Sequence, residues 1–558
     1  MASEFNLIDE AWIRVMTPDF QVREVSLRDA LLNAQNFLGL AGETKTQDFA
    51  ILRLLLAIMY TVFYRYDLDG NEIDLSDNPD LVFDNWCDMW RARQISSKPI
   101  EIYFEKWRER FWLFDDEHPF FQSNALKETG SYFSSAKMIG TLFESANKRR
   151  LFPNRINEGR ELTYSEAARW LLHLNSFDDT AAKKPTPKRT WLSRCGLVAV
   201  KGESLFETIF LNFCANHDTS KDVFDEKPSW EDDKKVAESN RLIAVPKDQA
   251  ALLSLISRRI CLCREGDKIT GYRISGGDYF EDDELLTEEN MTLWTSYQDG
   301  KGKNALYKFK PKLYTSTEKF WREFGIIAGS KETENTAKFK RPGVLDWVGC
   351  LMEKGILDSK SYVVKLVTAA VIYEFKAMLW LVIDNIYDGV DFHAQLLQDV
   401  GVRWRTRIIE EIEKCEKAAQ QVFYLYKALQ KAKGRADKDA KTELSGESDA
   451  KMQFYDRIDR PFRLWLAGID DTQDIDEYTA SLEKELLLIA RNFGEEIAKQ
   501  IGSQNVFSYR KLMDSKDDKK KSKEGNDKKF AGEIFSASLN RYFATISKKI
   551  FDRAGENH

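Results

Sequence analysis

The side chains able to do acid–base, nucleophilic or metal chemistry are few in this sequence and poorly spaced for it. Histidine occurs at five positions, 118, 173, 217, 393 and 558. No H-E-x-x-H pairs two of them on one helix face, where they would hold zinc beside a glutamate base. No G-x-S-x-G elbow presents a nucleophilic serine, and no Walker A or G-x-G-x-x-G loop offers backbone N–H groups to phosphates. The densest acidic run is "SGGDYFEDDELL" (275–286), with Asp278, Glu281, Asp282, Asp283 and Glu284. A metal-dependent nuclease uses such carboxylates but gathers them from separated strands, whereas a contiguous run reads as a solvated loop. A nuclease therefore stays a minority alternative, and it requires this run to meet other carboxylates in a cleft. Seven cysteines, at 87, 195, 214, 261, 263, 350 and 415, form no C-x-x-C and suggest reduced thiols in a cytoplasmic protein. The Cys261–Cys263 pair stands too close, and too alone, for a zinc site. No catalytic residue, metal or cofactor is expected.

Two basic stretches carry more information. "NKRRLFPNRINEGR" (147–160) sets Lys148, Arg149, Arg150, Arg155 and Arg160 around Phe152, with Pro153 and Gly159 enforcing a loop. "KKPTPKRTWLSR" (183–194) holds Lys183, Lys184, Lys188, Arg189 and Arg194 without an acidic residue. Cations in such loops neutralise phosphates while a ring or amide approaches base edges; a single basic run is better read as ordinary solvated surface, but two around one helix in a net acidic chain fit both readings equally. The formal net charge of −7 gives the chain no overall attraction to nucleic acid. Contact with DNA must come from local patches or be shared with partners.

The elements that would position these loops belong to a long chain. Its 558 residues, 43% hydrophobic with 14 Trp and 35 Phe, suffice for two or more packed domains. The start "MASEFNLIDEAWIRV" lacks the pattern of a signal peptide, and no apolar run reaches membrane-spanning length, so no membrane partner is expected. Up to about 358, β-rich runs such as "LVAVKGESLF" (197–206) and "RICLCREG" (259–266) alternate with helical ones such as "FAILRLLLAIMYTVFY" (49–64) and "LTYSEAARWLLHL" (162–174). Thr163 and Glu166 have capping-box spacing and mark a helix start. From 359 the segments 361–388, 394–432, 448–469 and 475–501 read as long helices, with charged loops at 433–450 and 514–529. The expected fold is α+β: a large irregular mixed N-terminal domain (1–358) followed by a C-terminal helical, four-helix-type bundle (359–558).

The sequence also resembles a known family, the large subunit of the type I-E CRISPR surveillance complex (Cascade). "FNLIDEAWIRV" (5–15) resembles its opening strand, "EHPFFQ" (117–122) its H-P-F-x-Q, and "GESLFETIFLNF" (202–213) its G-x-x-L-x-E-T-x-x-L-N. "LLSLISRRICL" (252–262) and "YDRIDRPFRLWLAGI" (455–469) resemble two later stretches, so order and spacing agree over almost the whole chain. The resemblance implies a non-catalytic subunit that recognises the protospacer-adjacent motif (PAM) in duplex DNA and helps to open the duplex and seed the R-loop. It also implies a platform for a helicase-nuclease, with the other Cascade subunits, crRNA and target double-stranded DNA as partners. The family's docking element at the crRNA 5′ end corresponds to Phe152 and Asn154, flanked by Arg149 and Arg150. Its PAM loop corresponds to 181–190, with Lys183, Lys184, Lys188 and Arg189 where the family has glycines. Its lysine finger falls near Lys268 and Arg273, followed by Gly276 and Gly277, glycines that suggest a backbone approach to DNA. Its wedge falls near Lys376, which reads equally well as a buried bundle residue. The alternative is a helical-bundle scaffold or adaptor subunit without direct DNA contact. The two differ in whether 147–160, 181–194 and 268–278 converge on one face.

Overall fold

The computed structural model describes residues 3–75, 78–139, 161–178, 190, 192–193, 196–215, 226–232, 241–279, 289–299, 306–314, 319–329, 340–358, 360–376, 379–432, 440–470, 472–501 and 531–543. The chain forms two compact units, neither continuous in sequence. One comprises Met1–Ser316, Gly329–Leu357 and Lys365–Gly389, the other Thr317–Ala328, Asp358–Val364 and Val390–His558.

The first unit is built around the helix Lys45–Phe63. Thr44 caps it by accepting from the Gln47 N–H at 3.2 Å, and every residue from Thr46 to Phe63 is buried. By length and composition it is the one described helix able to cross a membrane, yet it lies wholly inside the fold. A helix apolar on all sides must be covered on all sides. Helices Tyr164–Phe177 and Gln249–Leu253 cover it in part. Its single interior cation, Arg53, is paired with the buried Glu289 and donates to the Leu252 carbonyl at 3.1 Å. The capping box forms as the spacing requires: Glu166 N–H reaches the Thr163 hydroxyl at 3.2 Å, and the Glu166 carboxylate accepts from Thr163 N–H at 3.0 Å.

Small sheets surround this core. Strand Ile13–Met16 lies between Val22–Val25 and Gly39–Leu40, and Lys268–Gly276 lies between Ser131–Ser134 and Arg258–Glu265. Within "LVAVKGESLF" only Leu197–Val200 is strand, and a helix begins at Leu205 behind the Ser204 cap.

Residues 361–388 correct an expectation. They form no bundle helix but most of a β-hairpin, Val363–Lys376 and Leu379–His393, whose first strand pairs through Leu366–Ala369 with Leu197–Val200. A run apolar on all sides fits a strand buried on both faces as well as a buried helix. The β-branched residues Val363, Val364, Val367, Thr368, Val371 and Ile372 favour the strand. No Gly or Pro marks the turn after Lys376, so its usual signal is absent. Lys376 is therefore the last residue of a strand, not a bundle residue.

The second unit holds four long described helices, Val402–Ala432, Ala440–Ala467, Ile475–Ile501 and Ala531–Phe543, besides the single turn Phe324–Ile327. The first packs against the other three, and the third against the second and fourth. Trp321 stacks on Phe462 at 4.0 Å between ring centroids, and its indole N–H donates to Asp459 at 2.8 Å. The expected helix at 394–432 starts only at Val402, after two 3-10 turns, and the helix at 531–543 was not anticipated.

Candidate nucleic-acid interface

The sheet of Ser131–Ser134, Lys268–Gly276 and Arg258–Glu265 fixes the residues beside the two basic segments. Strand Ser131–Ser134, shortly before the first basic segment, pairs with Gly271–Ile274. Leu162, just after that segment, exchanges backbone hydrogen bonds with Ile269 at 3.0 and 2.9 Å. Phe177 and Asp178 precede the second segment; the Asp178 carbonyl accepts from Arg258 Nε at 3.0 Å, and Tyr373 donates to the Phe177 carbonyl. Asn175 adds a hydrogen bond to the Leu255 carbonyl at 2.9 Å and accepts from Arg258 N–H at 3.1 Å. Three chain ends are thus tied to one antiparallel hairpin. The basic residues Arg149, Arg150, Lys183, Lys184, Lys188 and Arg189, with Phe152 and Asn154, lie outside the described residues.

Within the hairpin, Lys268 sits at the turn after Gly266, which takes a left-handed φ of +62°. Its ammonium is partly exposed and lies 3.9 Å from the exposed Asp267, so it faces solvent with weak pairing. Arg273 is half-buried on the strand. Its Nη1 donates to the Gly130 carbonyl at 2.8 Å, and its guanidinium lies 6.0 Å from the centroid of the exposed Tyr132 ring. Sequence reasoning passed over Tyr132, because "GSYFSS" looks like any strand until its partner strand is known. Gly276 and Gly277 are both buried. A Cβ on Gly277 would come within 2.4 Å of the backbone of Ile256, Ser257 and Arg258, so this glycine permits close chain packing. The side chain of Lys376 lies outside the described residues.

The candidates for chemistry have local partners. Burial pushes His173 down to about 4, and its ring Nε2 lies 3.1 Å from the Thr46 hydroxyl. Asp278 is paired with the fully buried Arg259, which neutralises it; Glu281, Asp282, Asp283 and Glu284 lie outside the described residues. Among the described residues no group of three or more His, Cys, Asp or Glu side chains is placed to hold a metal ion. The family-like motifs supply structure. Gln122 donates to the Leu113 carbonyl at 2.6 Å and accepts from Leu262 N–H at 2.9 Å, joining two strands. Asn212 bonds both the N–H and the carbonyl of Val200.

The chain thus combines an α+β unit, whose sheet holds the residues flanking both basic segments, with a helical-bundle unit. The family model for CRISPR-associated protein Cse1 matches residues 6–493, and the chain belongs to that family. CasA/Cse1 of Thermus thermophilus is 31% identical over 233 residues, which span 41% of this chain and 42% of that protein. The crystal structure of Thermobifida fusca Cse1 superposes with a TM-score of 0.74 at 25% identity, covering 97% of this chain and 99% of the other. A chain of a solved CRISPR RNA-guided surveillance complex shares the fold, with a TM-score of 0.57 at 14% identity, covering 89% of this chain and 99% of that one.

Proposed function

We propose that this chain is the non-catalytic large subunit of an RNA-guided surveillance complex. It recognises the PAM in duplex DNA, helps to open the duplex and seed the R-loop, and offers a platform to a helicase-nuclease. In RNA-guided complexes base pairing reads the target, and the protein reads only the short adjacent motif. A probe entering the minor groove meets a degenerate donor and acceptor pattern, so related motifs are tolerated. In this proposal Lys183, Lys184, Lys188 and Arg189 hold phosphates, Lys268 and Arg273 face the groove, and Lys376 serves as the wedge. Phe152 and Asn154, with Arg149 and Arg150 just before them, dock the subunit at the crRNA 5′ end. The observation that carries the reading is the attachment of the chain flanking both basic segments to the hairpin that bears Lys268 and Arg273. The negative net charge favours the rival reading, an adaptor without DNA contact.

The test is the salt dependence of target-duplex binding by the assembled complex. Each of Lys184→Ala and Lys188→Ala should weaken binding to every PAM alike and reduce the log–log salt slope by about one unit. Unchanged affinity and slope in both variants would leave the adaptor reading standing.

A further inference from the structure

A second feature of the first unit lies away from this sheet. A cavity of about 310 Å³ opens among strand Ile13–Met16, helix Lys45–Phe63, strand Leu197–Val200 and the hairpin strands Val363–Lys376 and Leu379–His393. Met16, Leu38, Leu40, Phe49, Leu52 and Leu205 form most of its apolar wall. A buried apolar cavity of roughly 150 Å³ takes up benzene, so this one has room for a larger aromatic or branched group.

Its mouth is unusual for surface facing only water. Phe20 stands at the tip of the Thr17–Gln21 turn, 75% exposed and in a left-handed conformation with φ +58°. A large apolar side chain gains nothing from either condition, and its position there suits a task outside the fold. Tyr387, on the opposite side, is 46% exposed; Val22, paired with the wall residue Met16, and Ile383, on the same strand face as Tyr387, are exposed as well. The apolar surface therefore extends past the cavity onto its rim, beyond what a small enclosed ligand would need.

The rim carries two lysines and one carboxylate, Asp48. Lys45 is held 2.8 Å from Asp48 and lies 5.8 Å from the Tyr387 ring centroid. Lys201 is exposed, and its ammonium makes no ion pair or hydrogen bond among the described residues. A lone cation beside a wide apolar mouth selects an anionic partner with a bulky apolar group. We propose that this cavity is a docking site for an acidic segment of a partner protein, which inserts one bulky apolar side chain while its carboxylates meet Lys201 and Lys45.

The test uses the full chain and two fluorescein-labelled peptides, Gly-Asp-Trp-Asp-Gly and its Lys-for-Asp analogue, read by fluorescence polarisation. The acidic peptide should bind and the basic one should not. Lys201→Glu, an exposed change that spares the fold, should weaken the acidic peptide about fivefold or more. Leu38→Trp, which fills the cavity, should abolish binding. Phe20→Ala should weaken binding without lowering Tm, as an exposed ring requires. Equal binding of both peptides, or no response to Lys201→Glu and Phe20→Ala, would overturn the proposal. Equal competition by free indole-3-acetate would also overturn it, because a small-molecule site would then be at hand.

Discussion

Arg273 and Tyr132 are neighbours with different expected behaviour. Arg273 holds the Gly130 carbonyl, so Arg273→Ala removes a charged hydrogen bond that closes a turn onto the sheet. The loss should be about 1.5–3 kcal/mol, read as a lower unfolding midpoint in urea. Tyr132 is exposed, and Tyr132→Ala should leave that midpoint nearly unchanged. If this surface meets duplex DNA, the same Tyr132→Ala should weaken target binding by the assembled complex, since it removes a large exposed ring beside Arg273. An unchanged affinity would remove Tyr132 from the interface. The sequence made Arg273 visible by its place in the family order. It could not reveal the bond to Gly130, because 143 residues separate the two. The packing roles of Gly277 and Gln122 were hidden for the same reason: each depends on a distant strand. The Thr163–Glu166 cap was legible because both partners lie within one helical turn.

At the scale of elements, periodicity served the amphipathic helices and failed for the two-sided strand. Ile475–Ile501 has one apolar stripe and was read at its bounds, whereas Val363–Lys376 has none and was mistaken for a helix. The bundle contains one arrangement that no periodicity announces. Lys414 Nζ lies 2.7 Å from Glu411 and 2.6 Å from Glu483, and both carboxyl groups are fully buried. Burial pushes the Glu411 carboxyl up to about 7 against the opposing pull of Lys414. Its folded pKa thus lies above the ordinary 4.5, so the native state keeps a proton that the unfolded chain has already released. Stability should therefore fall as pH rises from about 4.5 to about 7 and level off above that. Glu411→Gln should flatten this stretch of the stability–pH curve relative to the parent chain. Lys414→Met should cost about 3–5 kcal/mol at pH 8, because it strands two buried carboxylates. Urea midpoints at pH 5 and 8 check both, and a Glu411→Gln curve parallel to the parent would contradict the assignment.

For the whole molecule, a net charge of −7 leaves no overall attraction to DNA, so the proposed contact has to come from local surfaces or be shared with partners. Its membership of the Cse1 family and its two-unit fold agree with a subunit whose contribution appears on assembly. The fold class was legible because composition and order act over hundreds of residues, while the proposed DNA-facing positions depend on loops whose placement sequence alone does not give. The central claim is that this chain supplies PAM recognition. The most direct measurement is the affinity of the guide-loaded complex, assembled with and without this subunit, for two duplexes that share a full target and differ only in the PAM. With the subunit present the PAM-bearing duplex should bind more tightly, and without it the difference should vanish. A PAM preference that persists without the subunit, or never appears with it, would contradict the account.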